Sequence, residues 1–347
     1  MKGKDGHTTA RFKGPGFWET LREAFLGVRR PLDCVQVEVS SRCPARCSYC
    51  PRTVQAGRWQ PRLMTADTFA RLWPLMRRSG RVHLQGWGEP LINPAFFEMA
   101  ALARRAGCAV STTTCGLRID PPLARRLVDS GIDIVAFSLA GTDAATNAAR
   151  QGAEFERVIA AIDTLQEVRR ARGGVHMEVH IAYLLLASRM EALRGLPALA
   201  KRLGVHAVVV STLDYLPEPG LAPEAFSPDE PEKRARAGAL LAETAAEAGR
   251  LGVAFSGSLP DSAASGRNCR ENIARSVFVS ADGGMSPCVY VNLPVEGPDP
   301  RRRVFGNVNA ADPLAIWEDE AFRRFREGLA SGDPDPVCRG CPKRFTG

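Results

Sequence analysis

From residue 34 to about 214 the chain alternates short runs of period-two apolar pattern with longer amphipathic runs. Strands are predicted over 34–40, 82–86, 109–114, 134–139, 176–185 and 207–212. Between them lie predicted helices. Thr65 is placed to cap one whose Phe69, Leu72, Trp73 and Met76 share a face, and Asn93-Pro94 starts another that Gly107 ends. Further helices are expected over 121–130, 155–172 and 190–203. Six βα units in a row imply a parallel sheet, and right-handed crossovers roll such a sheet into a barrel or partial barrel.

The strands also separate two faces, because successive side chains point oppositely. Val35, Val37 and Val39 oppose Gln36, Glu38 and Ser40; Val82 and Leu84 oppose His83 and Gln85; Met177, Val179, Ile181 and Tyr183 oppose His176, Glu178 and His180. A closed, packed barrel would be apolar on both faces. With helices outside, the polar face is expected to line an interior that holds a polar ligand. The alternative is a solvent-exposed edge for one or two strands.

Beyond Tyr215 a Pro-rich stretch over 216–231 reads as an ordered linker, followed by a helix over 230–252 and a strand over 253–256. A hairpin is predicted from 276–280, the turn Ala281-Asp282-Gly283-Gly284, and 287–291; a helix follows over 313–329. Trp18, Leu21 and Phe25 predict an N-terminal helix over 17–28 that plugs the barrel bottom. The expected division is an N-terminal extension (1–33), a barrel (34–215), a linker and helix (216–258) and a small α+β domain (259–347).

Composition narrows the class. The 45% hydrophobic content is ordinary for a globular protein. No apolar run is long enough to span a bilayer, and the polar first 16 residues lack a signal core, so a cytoplasmic protein without a membrane partner is expected. The net charge of +8 is spread over helix-like segments, with no aromatic-interleaved basic stripe to suggest nucleic acid. Ten cysteines in a long, non-secreted chain point to metal binding rather than disulfides.

Seven of those cysteines fall into two groups. Cys43, Cys47 and Cys50, spaced Cys-x3-Cys-x2-Cys just after the first strand, can hold three corners of a cubane iron–sulfur cluster and leave the fourth iron without a protein ligand. A tetrahedral zinc ion would want a fourth thiolate or imidazole, and residues 36–82 offer none. Cys269, Cys288, Cys338 and Cys341 form the second group; by residue type they suit a fully ligated cluster or a structural zinc ion equally. Cys34 and Cys108, at strand starts, read as small buried hydrophobes.

The triplet, with Tyr49 before its last cysteine, resembles the signature of the radical S-adenosylmethionine (SAM) superfamily. Gly86-Trp87-Gly88-Glu89-Pro90 resembles that family's Gly-Gly-Glu-Pro motif, with Trp87 where the first glycine usually stands. Ser138, in Phe137-Ser138-Leu139, resembles its Ser-Leu-Asp-Gly segment, and Arg150 matches an arginine often paired with the SAM carboxylate. Thr114-Cys115-Gly116 stands where relatives carry Thr-Asn-Gly. The second cysteine group, with Gly283 and Gly306-Asn307-Val308, is similar to a SPASM or Twitch domain; because the sequence stops six residues past Cys341, a single auxiliary cluster is expected.

The resemblance implies a partial (β/α)6 TIM-like barrel followed by a small α+β SPASM/Twitch-like domain, with two [4Fe–4S] clusters and SAM as cofactors. Reductive cleavage of SAM would give a 5′-deoxyadenosyl radical that abstracts hydrogen from a peptide or small molecule, with an electron donor such as flavodoxin or ferredoxin. Tyr49, Gly86, Gly88, Glu89, Pro90, Ser138 and Arg150 are the expected SAM contacts; Glu178 and His180 are the catalytic candidates. No separate peptide-recognition domain is expected within the first 33 residues. The competing readings are a maturation factor of the same fold and a zinc-stabilised binding protein without turnover.

Overall fold

The computed structural model describes residues 30–260 and 269–344; the predicted helix over 17–28 lies outside them. Seven parallel strands run in sequence order: β1 (Leu32–Val37), β2 (Ser79–Leu84), β3 (Ala109–Thr114), β4 (Ile134–Leu139), β5 (Glu178–Leu185), β6 (Ala207–Thr212) and β7 (Ala254–Gly257). On the other edge of β1 lies β8 (Ser276–Val279), also parallel, followed by antiparallel β9 (Gly284–Ser286) and β10 (Gly306–Asn307). The ten-stranded sheet is open, with β7 and β10 as its edges. The strand expected over 253–256 thus joins the parallel sheet as its seventh member, and β8–β10 continue the same sheet beyond β1.

Besides two one-turn helices at the cysteine groups (Pro51–Val54 and Pro336–Arg339), the helices are α1 (Ala66–Ala70), α2 (Trp73–Met76), α3 (Phe96–Arg105), α4 (Pro121–Asp129), α5 (Phe155–Arg172), α6 (Leu196–Arg202), α7 (Pro231–Arg250), α8 (Pro313–Glu318) and α9 (Glu320–Ser331). The numbered helices pack on the sheet. They cover the apolar strand face. Val35, Val37, Val82, Leu84, Val135, Phe137, Val179 and Ile181 are fully buried in one core with Phe69, Met99, Leu127 and Ile162 from the helices. The opposite face carries Gln36, His83 and Ser111 side by side in register. His83 Nδ1 lies 2.8 Å from Ser111 Oγ, and burial pushes its imidazole down to about 4. A neutral polar layer therefore lines the interior.

Several predicted elements break where the chemistry demands. The Thr65 hydroxyl caps α1 by accepting Thr68 N–H, but Pro74 interrupts the run, and Trp73 is 39% exposed instead of sharing the buried face. Residues 190–203 are a 3₁₀ stretch (Ala187–Gly195) and then α6, with Pro197 in its first turn. The run over 313–329 divides at Asp319, whose carboxylate caps α9. The hairpin's return strand ends at Ser286, since Pro287 has no N–H for the ladder, and Val289–Val291 is a 3₁₀ turn.

Glu38, just past β1, ties three elements together. It is fully buried; one carboxylate oxygen accepts Trp87 N–H at 3.0 Å and the other accepts Ala281 N–H, from the β8–β9 turn, at 3.2 Å. Burial raises its carboxyl from 4.5 to about 7, with Asp282 adding repulsion. A raised carboxyl favours the folded state fully below pH 4.5, and that stability is lost as pH rises through 7. Unfolding free energy is expected to fall by about 3 kcal/mol between pH 5 and pH 8 from this group. Glu38→Gln should flatten that slope in denaturant titrations run at both pH values.

Candidate functional site

The 43–50 loop leaves the C-terminal end of β1 and is held from two sides. Ser41 N–H donates to Arg62 O at 3.0 Å, and Trp59 Nε1–H donates to Ser41 O at 2.9 Å. Arg46 N–H donates to Gln151 O at 2.6 Å and Ser48 N–H to Ala149 O at 2.9 Å. The segment after β4 therefore clamps the loop and carries Arg150 to it. Cys43, Cys47 and Cys50 pack with Tyr49, Ala45, Ala153, Leu117 and Cys115. Cys115 holds the adjacent Cys43 thiol below its ordinary range, while Cys43 and burial push the Cys115 thiol above its own.

The guanidinium of Arg150 is 7% exposed. Nη1 donates to the Tyr49 hydroxyl at 2.9 Å, while Nε has no partner. Among the described residues no carboxylate is paired with it. A buried cation without a counter-charge is costly, so the site fits an anionic group seated beside the cysteine loop. A thiolate-held cluster and a carboxylate-bearing ligand both meet that demand.

The loop after β2 lies on the same strand exit. A Cβ on Gly86 would fall 2.4 Å from Glu38 Cβ, and one on Gly88 would fall 2.3 Å from Ser40 O and 2.4 Å from Arg42 O. Position 87 between them has room, and its indole packs 5.9 Å from both Tyr215 and Tyr290. Glu89 is buried and accepts three hydrogen bonds: Leu91 N–H at 3.1 Å, the Thr114 hydroxyl at 2.8 Å and Cys115 N–H at 2.6 Å. It braces the exits of β2 and β3, leaving roughly one of a carboxylate's four acceptor positions for a ligand. Pro90 opens a 3₁₀ turn, Pro90–Ile92. Ser138 is half-buried near the C-terminal end of β4.

Glu178 and His180 are not brought to this site. They open β5 at its N-terminal end, whereas the cysteine loop follows the C-terminal end of β1. Eight residues of strand at about 3.3 Å each put roughly 23 Å along β5 between the two ends. His180 Nε2 lies 2.7 Å from Glu178 Oε2, and burial lowers the imidazole. The pair is a polar floor of the barrel, and the catalytic assignment is corrected accordingly.

At the second group, Cys269, Cys288, Cys338 and Cys341 line one small cavity with Glu271, Tyr290 and Lys343. Burial pushes the Cys269 thiol up to about 12 and Cys338 to about 11, so charged thiolates there want a bound cation. Among the described residues no three His, Cys, Asp or Glu side chains converge as a single metal ion requires. Four thiolates around one cavity can hold a zinc ion or a four-iron cube. Lys343 Nζ lies 3.1 Å from Asp214 and 3.2 Å from Glu271, joining the C-terminal turn to the exit of β6. This triad and the aromatic contacts of Trp87 carry no local sequence signal; long-range packing alone assembles them.

Gly88→Ala has backbone carbonyls to displace, not flexible side chains. It is expected to cost about 3 kcal/mol of stability in denaturant unfolding, the upper end of what overpacking typically costs. Gly57→Ala, with nothing within 4 Å of its Cβ, should stay within about 0.5 kcal/mol of the parent.

The family model of the radical SAM superfamily matches residues 37–182, and that of an iron–sulfur cluster-binding domain, SPASM, matches residues 269–342. PqqA peptide cyclase of Xanthomonas axonopodis pv. citri is 25% identical over 328 residues, 92% of this chain and 82% of the relative. PqqA peptide cyclase of Streptomyces rochei is 32% identical over 119 residues, 34% of this chain and 32% of the relative. A tungsten-containing aldehyde ferredoxin oxidoreductase cofactor-modifying protein of Pyrococcus furiosus is 25% identical over 193 residues, 51% and 50% of the two chains. The chain thus spans a third to a half of the length of these last two. Among solved structures, Streptococcus suis SuiB bound to S-adenosylmethionine superimposes with a TM-score of 0.69 at 15% identity, over 94% of this chain and 79% of that one. The enzyme anSMEcpe with bound AdoMet gives 0.65 at 16% identity, over 86% and 84%. At such identity these two speak for the fold, a TIM-like partial barrel. Sequence models and architecture agree: the chain belongs to the radical SAM superfamily and carries a SPASM-type iron–sulfur domain on the C-terminal side of its barrel.

Proposed function

We propose that this protein cleaves SAM reductively and uses the resulting radical to oxidise or cross-link a peptide substrate. The observation that carries the reading is the buried, uncompensated Arg150 guanidinium beside three clustered cysteines at the barrel mouth. When bound, a [4Fe–4S] cluster and SAM supply a 5′-deoxyadenosyl radical, at the expense of one electron from a flavodoxin- or ferredoxin-type donor. Cys43, Cys47 and Cys50 hold that cluster. Arg150, oriented by Tyr49, takes the SAM carboxylate; Gly86, Gly88 and Pro90 shape the backbone wall on the amine side, and Ser138 faces the cavity from β4. Glu89 acts chiefly by fixing the loop, with one acceptor position left for the ammonium. Cys269, Cys288, Cys338 and Cys341 hold one auxiliary [4Fe–4S] cluster.

The peptide substrate is supported by the names of the relatives that align over most of this chain. Trp87, Tyr215 and Tyr290 favour a role for the auxiliary site next to that substrate. They connect the SAM loop to a residue two positions from Cys288 through ring contacts of 5.9 to 6.3 Å. A substrate seated against this aromatic wall lies between the two cysteine groups.

The anaerobically reconstituted chain is expected to hold about eight irons, and the combined Cys43→Ala, Cys47→Ala, Cys50→Ala variant about four, with no 5′-deoxyadenosine formed. Arg150→Ala should weaken SAM binding by roughly 1.5–3 kcal/mol, read by equilibrium dialysis. Unchanged iron and SAM cleavage in the triple variant would refute the assignment. Cys338→Ala tests the other group: iron should drop while some SAM cleavage persists, and the ratio of peptide product to 5′-deoxyadenosine should collapse.

A further inference from the structure

Cys115 is left without a role by the reading above, yet it stands at the cysteine loop. It is 7% exposed and packs in the same buried cluster as Cys43, Cys47 and Cys50. None of the four is in a disulfide. Its backbone is fixed. Cys115 N–H donates to one oxygen of Glu89 at 2.6 Å, the preceding Thr114 hydroxyl donates to the other at 2.8 Å, and Gly116 turns the chain with φ +79°. Cys108 shows what an inert core thiol looks like here: its sulfur donates to the carbonyls of Met76 and Ser79 at 3.0 and 3.3 Å. Cys115 instead packs with the cysteines of the loop. Independently, Arg150, bonded to Tyr49 of the same cluster, brings a buried positive charge whose Nε has no partner and which can offset thiolate charge there while SAM is absent.

We propose that Cys115 is a fourth thiolate for the loop's cluster in the SAM-free protein, holding the iron that SAM takes when it binds. The inference rests on the radical SAM reading above. The exchange needs no oxidant or reductant. The iron–sulfur bond to Cys115 breaks and bonds to the nitrogen and carboxylate of SAM form; the ammonium of SAM gives up one proton as its nitrogen binds, and the released thiolate takes one up, so the exchange is proton-neutral. Its consequence is a cluster with no open corner while the enzyme waits for SAM, and a cost to SAM affinity that the displaced thiolate imposes.

The test uses the full chain, reconstituted anaerobically and freed of SAM, as wild type, Cys115→Ala and Cys115→Asn. Treatment with a mild oxidant such as ferricyanide is followed by electron paramagnetic resonance of the three-iron cluster left when an open corner loses its iron. Both variants are expected to give several times the wild-type signal. SAM should also bind Cys115→Asn roughly tenfold more tightly, because no thiolate competes. Equal signals and equal SAM affinity in wild type and Cys115→Asn would overturn the proposal, even should Cys115→Ala fail to fold. Iron counts on the combined Cys43, Cys47 and Cys50 variant tell which claim has failed. If iron falls there while Cys115→Asn behaves as wild type, only the fourth ligand is wrong. If iron stays full, the loop holds no cluster and both readings fall.

Discussion

Gly88 stands so close to the carbonyls of Ser40 and Arg42 that a Cβ would lie 2.3 and 2.4 Å from them, and that approach sets the geometry of the barrel mouth. It lets Glu89 N–H reach Arg42 O at 2.7 Å, just before the first cysteine of the loop. It also positions Trp87 N–H over Glu38, whose second oxygen receives the β8–β9 turn. Glu89 then carries the constraint onward to Thr114 and Cys115. One backbone contact between two strand exits thus registers the cysteine loop, the loop after β2, the turn after β3 and the hairpin of the C-terminal domain. The need for glycine at 86 and 88, and its absence at 87, is steric. The flanking positions face backbone and Glu38, while the indole of the middle one packs on Tyr215 and Tyr290.

Much of this was legible before any coordinates. β3, β4 and β6 fall where the sequence pattern places them; in β4 and β6 a buried face under helices alternates with a half-buried face toward the interior, while in β3 the interior-facing Ser111 is buried as well. The two cysteine groups are local in sequence, or paired by a hairpin that a Gly-rich turn announces. Alternation fixes which face a side chain occupies; it says nothing about which end of the strand meets the ligand. Glu178 and His180 were read correctly as polar-face residues, but the structure puts them at the floor, because chain direction in a parallel sheet places every functional loop at the other end. Helix boundaries failed at prolines and at Asp319, where local backbone chemistry overrides a continuous apolar pattern. Lys343, Asp214 and Glu271 come from three distant segments, and no window of sequence contains their meeting.

Two buried cations among the described residues, Lys343 and Arg150, show how structural and functional charge can be told apart. Lys343 lies at the auxiliary cysteines with Asp214 at 3.1 Å and Glu271 at 3.2 Å, its side chain 11% exposed. Its charge is fully answered by protein groups, and its work is done in the folded chain: it pins the last turn of the C-terminal domain to the exit of β6. Arg150 is as deeply buried and has only the Tyr49 hydroxyl, with Nε bonded to nothing. Burying a guanidinium without an anion is unfavourable by several kcal/mol, and folding gains nothing visible from it here. Such a group persists because something outside the chain completes it. The anionic partner has to sit beside Cys47 and Tyr49, since that is where the guanidinium is held. This links the cysteine loop to a ligand site on electrostatic grounds, independently of any motif.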